Sequence, residues 1–232
     1  GSRWQISGKS PLSNQFSYCN LGGAWGAHLK FAGYDGLVIY GKSESLVYVK
    51  IDNGIIELID ATDLASKGAA ETRQILKDRL GGSFKVVSIG PAGENKVVFS
   101  SILADSDSSG SGGLGAVMGA KKLKAVAVRG NKSVHVADKD KMDELRKEIR
   151  KIKAKPENSG RIMPGSYKRA MCFGCINGCI RDNYTEKSGR TGKSMCQSGL
   201  FYYVRALRYY NKSTDVPFIA TRICDDFGLD TY

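Results

Sequence analysis

Three cysteines close together in the chain are the residues best suited to chemistry. Cys172, Cys175 and Cys179 follow the spacing C-x2-C-x3-C, and the small residues between them let the loop wrap so that the thiolates converge. Such a compact thiolate set predicts a 4Fe-4S cluster, with a fourth ligand supplied from elsewhere. Zinc and free thiols are the alternatives. Zinc fits less well, because no matching cysteine or histidine pair follows and both histidines are remote.

A glycine-dense segment from Gly110 to Gly119 is the second candidate, and the basic run from Lys121 to Lys124 follows it. Glycines expose backbone N–H groups and permit a phosphate or a polar heterocycle to approach closely. The segment is neither a P-loop nor a dinucleotide fingerprint. A flexible surface loop is therefore an equally good interpretation of these residues alone.

The elements that must position these residues change in character along the chain. Between Gly36 and Gly130, short apolar runs separated by turn residues predict strands at 37–40, 46–51, 55–59, 86–89, 97–99 and 125–128. One helix is predicted from Asp63, as its N-cap, to Leu80, with Gly81 ending it. The first part of the chain is therefore β-rich.

After Val136 the pattern becomes helical. Apolar residues repeat at helical spacing over 142–152, with Asp138 as a candidate N-cap, and the aromatic and basic stretch 200–210 predicts another helix. We therefore predict an α+β fold, with a β-rich domain at 1–136 and the start of an α-helical domain at 137–232. The helical part carries the cysteine cluster.

The composition is ordinary for a folded chain with a real core: of 232 residues, 41% are hydrophobic and 25% are charged. No apolar run approaches the roughly 18 residues of a membrane span, and the first residues do not form a signal peptide. We expect a cytoplasmic protein without membrane contact, whose chain begins inside a longer one or after processing. Six cysteines then indicate metal binding or catalysis rather than disulfides.

The net charge is +12, and the basic residues concentrate between Lys121 and Arg190. Such a charge fits nucleic acid, an anionic partner protein or a phosphate-bearing ligand. Neither RNP-like aromatics nor a helix-turn-helix pattern accompanies the basic residues, which favours a solvated helix face. We expect no nucleic acid as a partner.

Several segments, in their order along the chain, resemble the aldehyde:ferredoxin oxidoreductase family of tungsten-pterin enzymes. The segments are Arg3 with Lys9–Leu12, Asn20–Gly23, Leu29–Asp35, Ser88–Asn95, Gly112–Gly119, the cysteine triplet and Asp225–Asp230. The resemblance implies that the β-rich part is the family's cofactor-base domain, with two sheets in a pseudo-barrel-like arrangement.

The resemblance also implies which residues contact the cofactor. A tungsten or molybdenum ion held by two pterins would lie on the base domain, with Mg²⁺ as a further candidate between the pterin phosphates. An arginine can bind a phosphate through two N–H groups, and an amide suits the edge of a pterin. By position, the family's pterin contacts correspond to Arg3, Asn20, Gly22, Ser108, Gly110, Gly112, Asp225, Leu229 and Asp230.

Some positions depart from the family pattern. Asp107 and Ser111 stand where the family has arginines beside the glycine segment, which weakens the anchoring of phosphate or Mg²⁺. Cys196 stands where many members have a glutamate, and it is similar to a cysteine of the branch that includes the tungsten subunit of benzoyl-coenzyme A reductase. Cys196 is thus a candidate tungsten ligand and catalytic residue, with a small buried hydrophobe as the alternative.

The implied reaction is oxidation of an aldehyde or related oxo substrate to a carboxylate, with electrons passing through the cluster to ferredoxin or an iron–sulfur partner subunit. The basic surface near the cysteines would suit an acidic ferredoxin, and a homodimer is a further expectation. The family's fourth cluster cysteine lies beyond Tyr232, and Cys19 and Cys224 are assigned to packing. Two other hypotheses stay open: a zinc-stabilised module whose basic helix binds nucleic acid, and a family remnant without a working pterin site.

Overall fold

Strands and helices are distributed along the whole chain. The computed structural model describes residues 3–152, 161–176, 178, 181–194 and 197–231. Its strands are β1 (Trp4–Lys9), β2 (Phe16–Leu21), β3 (Val47–Asp52), β4 (Ile55–Asp60), β5 (Lys85–Ser88), β6 (Ile102–Ala104), β7 (Ser108–Gly110), β8 (Leu123–Arg129), β9 (Ser166–Lys168), β10 (Asn183–Thr185) and β11 (Thr191–Lys193). Its α-helices are α1 (Trp25–Phe31), α2 (Ala69–Leu80), α3 (Pro91–Glu94), α4 (Leu114–Ala120), α5 (Lys139–Lys151), α6 (Gln197–Tyr210) and α7 (Val216–Phe227).

Within the described residues, six strands form a mixed sheet in the order β4-β3-β8-β5-β6-β7. In this sheet β3 and β8 run parallel, and the other neighbours run antiparallel. Alternate side chains of β8 enter different cores, as β geometry requires. Val126 and Val128 pack toward the β1–β2 hairpin and α1, whereas Ala125 and Ala127 pack toward α2. The sheet is therefore covered on both faces.

The β1–β2 hairpin is a separate antiparallel sheet, with pairs running from Trp4 opposite Leu21 to Lys9 opposite Phe16. The apolar runs did not predict it, because polar residues such as Gln5 fill its exposed positions. The α+β fold class is confirmed. Among the strands described here no barrel closes, since the hairpin, the large sheet and the β11-β10-β9 sheet are separate.

Two of the predicted strands are wrong. Residues 37–40 are irregular, and Val38 and Tyr40 are 87% and 91% exposed. Residues 97–99 form a turn, after which Ser100 makes a single antiparallel bridge to Leu229. Short apolar runs cannot show whether a neighbouring strand is available to pair with them.

Helix α2 begins later than predicted. Asp63 lies in a short 3₁₀ turn (Thr62–Leu64) and pairs with Arg79, and the helix starts after Gly68. Its first N–H groups are capped from far along the chain. The backbone N–H groups of Ala70 and Glu71 donate to the Asp226 carboxylate at 2.8 and 3.4 Å. Gly81 ends the helix, as predicted.

The second half of the described chain is largely helical. The carboxylate of Asp138 caps α5 by accepting the N–H of Lys141 at 2.8 Å, as predicted from sequence. A small core forms where Met163, Tyr184 and Phe218 meet between the β9–β11 sheet and α7. None of the described helices is long and apolar enough to cross a membrane. The domain boundary at residue 136 stays a prediction, and α7 packs against α2 across it.

Candidate functional site

One polar cavity of about 280 Å³ joins residues from widely separated parts of the chain. Six of the predicted cofactor-binding residues line it, namely Arg3, Asn20, Gly110, Asp225, Leu229 and Asp230. The wall also includes residues that were not predicted, namely Tyr18, Cys19, Ser101, Ser109, Ser111, Arg181 and Thr231. Cations, carboxylates and hydroxyl groups therefore face one space, which suits a ligand with both anionic and hydrogen-bonding groups.

A larger cavity of about 670 Å³ lies between the hairpin, α1 and the segment 35–39. Its wall is mainly apolar and includes Trp4 and Trp25, whose rings stack with centroids 4.4 Å apart. Both indole N–H groups already donate to backbone carbonyls, that of Trp4 to Gly22 at 3.0 Å and that of Trp25 to Val126 at 3.1 Å. The smaller, polar cavity is therefore the better candidate for chemistry.

The end of the β1–β2 hairpin positions one wall of the polar cavity. Arg3 Nη1 donates to the carbonyl of Asn20 at 3.1 Å, which ties the two predicted residues together. Further along, the buried Ser108 hydroxyl accepts the N–H of Gly22 at 2.8 Å. Gly22, Ser108 and Gly112 were predicted to contact the cofactor, but they lie outside the cavity wall. They hold the hairpin in place behind it.

The opposite wall is the end of α7. Gly228 ends the helix with φ of +76°, which a glycine adopts without strain. The chain then pairs with the segment before β6. Ser101 N–H donates to the carbonyl of Gly228 at 2.8 Å, and Asp230 N–H donates to the carbonyl of Phe99 at 3.1 Å. These backbone bonds bring Asp225 and Asp230 to the cavity.

The glycines of two other segments permit close packing rather than forming a mobile loop. A Cβ on Gly90 would lie 2.3 Å from the carbonyl oxygen of Asp226, so the end of α7 fits only against a glycine. A Cβ on Gly119 would lie 1.8 Å from the carbonyl oxygen of Gly93. The glycine-dense segment 110–119 is thus the end of β7, a turn and the buried helix α4.

Asp107 does not face the cavity but belongs to a buried charge cluster behind it. Its carboxylate pairs with Arg73 and with Arg222, whose Nη1 is 3.0 Å away, and it accepts the N–H of Lys193 at 3.1 Å. Burial opposes its ionisation, but the two guanidinium groups outweigh burial and lower the pKa of Asp107 to about 2. Asp107 therefore does not place an unpaired negative charge in the cavity, where it would repel a phosphate.

The pKa of Asp225, whose carboxyl group lines the cavity, is raised rather than lowered. Burial raises its pKa to about 7, Arg222 opposes this effect, and the negative charge of Asp107 adds to it. The distance from Arg222 Nη1 to Asp225 Oδ2 is 3.9 Å, which is too long for a hydrogen bond. A neutral and a charged form of Asp225 are thus both accessible near neutral pH.

Arg181 supplies a second guanidinium group to the wall of this cavity, which Arg3 and Ser111 also line. The hydroxyl of Ser101, which lines the same cavity, is buried without a hydrogen-bond partner among the described residues. Arg181 was not predicted from the sequence, because it follows the cysteine loop and belongs to none of the motifs. Its place in the cavity wall depends on how distant segments fold together. An arginine from another segment therefore lines the same cavity as Ser111, the serine at the family's arginine position.

The cysteine loop docks on the other side of the hairpin end. A Cβ on Gly22 would lie 2.5 Å from Cys172 Sγ, so the thiol rests directly on the hairpin backbone. Phe173 N–H donates to the carbonyl of Gly23 at 3.0 Å, which fixes the loop. Gly178 N–H donates to Cys175 Sγ at 3.3 Å, which fixes the side chain of Cys175 within the loop. Two of the three predicted cluster ligands are therefore held next to the cavity wall.

The remaining cysteine predictions have different outcomes. Cys179 and Cys196 lie outside the described residues, and the residues that are described contain no group of three metal-ligating side chains. Cys19 is buried, and burial raises the pKa of its thiol to about 12, so it is a neutral packing group. Cys224 lies 3.4 Å from the hydroxyl of Tyr202.

The β-rich part of this chain has a direct counterpart among known protein families. Residues 1–130 match the family model of the N-terminal domain of aldehyde ferredoxin oxidoreductase. Because this match covers more than half of the chain, the chain belongs to the aldehyde ferredoxin oxidoreductase family.

Individual relatives extend the match beyond that domain. The tungsten-containing aldehyde ferredoxin oxidoreductase of Pyrococcus horikoshii is 34% identical over 276 aligned positions, which cover 100% of this chain and 45% of the relative. The WOR-like subunit of an aliphatic sulfonate oxidoreductase of Pyrococcus furiosus is 40% identical over 164 positions, covering 64% of this chain and 26% of the relative. This chain thus spans less than half the length of these relatives.

A solved structure shares the fold over nearly the whole chain. It is the active-site complex BamBC of benzoyl-coenzyme A reductase with 1,5-dienoyl-CoA, with a TM-score of 0.76 and 29% identity. The alignment covers 99% of this chain and 42% of that one. The similarity therefore includes the cysteine loop and α7 as well as the β-rich part.

Proposed function

We propose that this chain is part of a tungsten-pterin oxidoreductase and that the polar cavity binds its pterin cofactor. The observation that carries the proposal is the convergence of six cofactor-binding candidates from distant segments, directly beside the cysteine loop. When bound, a bis-pterin tungsten or molybdenum centre supplies two-electron oxidation with an oxygen atom from water, which converts an aldehyde or related oxo compound to a carboxylate.

The residues of the cavity fit a phosphate-bearing heterocycle. Arg3 and Arg181 present guanidinium groups, which bind phosphate through paired N–H donors. The buried Ser101 hydroxyl has no described partner and can bond to a ligand that enters the cavity. A Cβ on Gly110 would lie 2.4 Å from Cys19 Sγ, so glycine keeps this wall flat against the hairpin. Mg²⁺ between phosphates is part of the same proposal.

The cysteine loop is the proposed electron relay. Cys172 and Cys175 would hold a 4Fe-4S cluster together with Cys179, and the Gly178 N–H would tune it through Cys175 Sγ. Cys172 packs against Gly22, which is two residues after Asn20 in the cavity wall. A short path through backbone atoms suits transfer of single electrons out of the site.

The similar proteins support a proposal for the electron-transfer partner and for the branch of the family that this chain resembles in its active site. One is a subunit of an aliphatic sulfonate oxidoreductase and another is part of a BamBC complex, which supports transfer to a partner subunit as well as to ferredoxin. The BamBC similarity also supports the branch in which Cys196 is the tungsten ligand and catalytic residue. A homodimer and a cytoplasmic location stay predictions.

Anaerobic purification followed by metal and pterin analysis tests the proposal. Tungsten or molybdenum with pterin, iron and sulfide supports it, zinc alone supports the zinc-stabilised module, and iron without pterin supports the remnant. Arg181→Ala should lower the pterin content per chain, because the cavity loses a phosphate-binding cation. Arg190→Ala is the matched control, since Arg190 is exposed and pairs with Glu186 instead. Equal pterin content in the two variants would contradict the assignment of Arg181.

A further inference from the structure

Asp107 competes with Asp225 for the same guanidinium group. Arg222 Nη1 forms ion-pair contacts with both carboxylates, and Asp107 Oδ2, at 3.0 Å, is closer to it than Asp225 Oδ2, at 3.9 Å. Asp107 Oδ2 also accepts the N–H of Lys193 at 3.1 Å, while Asp107 Oδ1 is engaged by Arg73. Asp107 is therefore held in place from three sides, and Arg222 is drawn away from the cavity.

Asp225 is left with only the long, 3.9 Å ion-pair contact to Arg222, although it is only 9% exposed. Within the described residues, no donor makes a hydrogen bond to its carboxyl. The charged side chains that act on it are Arg222 and Asp226 on α7, Asp107 after β6 and Arg73 on α2. The cavity wall adds three more charged side chains, those of Arg3, Arg181 and Asp230.

We propose that Asp107 is a positioning residue: by holding Arg222, it prevents Asp225 from closing a short, hydrogen-bonded ion pair with Arg222 and keeps the Asp225 carboxyl available to N–H donors of a heterocycle in the cavity. This inference rests on the proposed function for the nature of the ligand. A buried ion pair between Arg222 and Asp225 would have to be broken before a ligand could use the carboxylate, and breaking such a pair is costly.

The proposal explains why an acidic residue at position 107 is useful. An arginine there would stand beside Arg73 and Arg222, and three cations would be buried together without a carboxylate between them. With Asp107 present, both guanidinium groups face a carboxylate behind the cavity. Asp225 then meets a bound ligand without a competing partner, and N–H donors from that ligand displace the proton it carries below neutral pH.

The test is a titration of the Asp225 carboxyl by NMR of protein labelled with ¹³C at the aspartate carboxyl carbons. The Asp225→Asn variant identifies the signal by its disappearance. Asp107→Asn should increase the acidity of Asp225 by about tenfold or more, because the negative charge of Asp107 is removed and Arg222 becomes free to pair with Asp225. In an Arg222→Gln background the same substitution should have a clearly smaller effect, because no guanidinium group at position 222 is left to pair, and an equal effect in both backgrounds would overturn the proposal. Arg222→Gln should change the acidity in the opposite direction, because Asp225 loses its nearest cation.

Opposite shifts separate a positioning role from mere destabilisation, since unfolding would move both variants toward the value of an ordinary aspartate. Asp107→Glu should keep the titration of Asp225 near that of the wild type. An unchanged titration in Asp107→Asn, or equal shifts in both variants, would overturn the proposal. Pterin content, measured separately, should fall in Asp107→Asn. A wild-type protein without any pterin would refute the proposed function and leave the titration result standing.

Discussion

The carboxylate of Asp226 joins α7 to the β-rich part of the chain by capping α2, and this contact can be broken from either side. Asp226 accepts the N–H groups of Ala70 and Glu71 at 2.8 and 3.4 Å. A Cβ on Gly68 would lie 2.2 Å from the Asp226 carboxylate oxygens. Gly68→Ala must therefore displace the same carboxylate that Asp226→Ala removes.

We expect each of these two substitutions to lower the free energy of unfolding by about 1–2 kcal/mol. Loss of a helix N-cap costs about 0.5–2 kcal/mol, and loss of a negative charge at a helix N-terminus costs about 0.3–1 kcal/mol. Asp226→Asn is the matched control, because it keeps an acceptor oxygen and removes only the charge. Its effect should be smaller than that of Asp226→Ala.

Urea denaturation followed by circular dichroism gives the free energies for a double-mutant cycle. In the Asp226→Ala background, Gly68→Ala should be almost without cost, because the carboxylate that it would displace is gone. The expected coupling energy is about 1 kcal/mol. If Gly68→Ala costs the same in both backgrounds, Asp226 does not cap α2 in solution and the reasoning fails.

Three further substitutions test other parts of the structure. Gly22→Ala should lower the bound iron per chain, because its Cβ would lie 2.5 Å from Cys172 Sγ, whereas Gly36→Ala, in open space, should not. Lys124→Met should destabilise the fold by about 3 kcal/mol, because it leaves the carboxylate partner of this fully buried lysine unpaired, and thermal denaturation measures the loss. Because burial raises the pKa of Asp225 to about 7, the folded state binds its proton more tightly than the unfolded state, so stability should decline as the pH rises from about 4 to about 7. Asp225→Asn should flatten this decline in urea denaturation measured across that range.

Local signals predicted much of the secondary structure. The helix over 139–151 and its cap at Asp138 depend on neighbours within four residues, and the structure contains both. The strands near 46–51 and 125–128 are present because their apolar residues are numerous enough to bury a face. The strand near 55–59 is also present, but it is mostly exposed and is held by its antiparallel pairing with β3. The start of α2 could not be found in this way, because its cap is Asp226, more than 150 residues away.

The candidate site divides in the same manner. Ordered motifs indicated which residues to examine, and six of the nine pterin-contact candidates do line one cavity. The other three, Gly22, Ser108 and Gly112, lie outside the wall of this cavity and contact the hairpin or the segment next to it, and their contact with a cofactor stays a prediction. Whether a glycine faces a ligand or a packed neighbour depends on the segments that fold against it. A sequence motif carries no information about those segments.

What the sequence by itself determined is the chemistry that the chain offers: a compact thiolate triplet, a glycine-dense segment and a family pattern that orders them. Only the tertiary structure decided how charges are shared, because electrostatic interactions depend on distances between groups that are far apart in sequence. Asp107, 118 positions before Asp225, changes the behaviour of that carboxyl by holding Arg222. Arg181 reaches the cavity only because the cysteine loop folds back onto the hairpin.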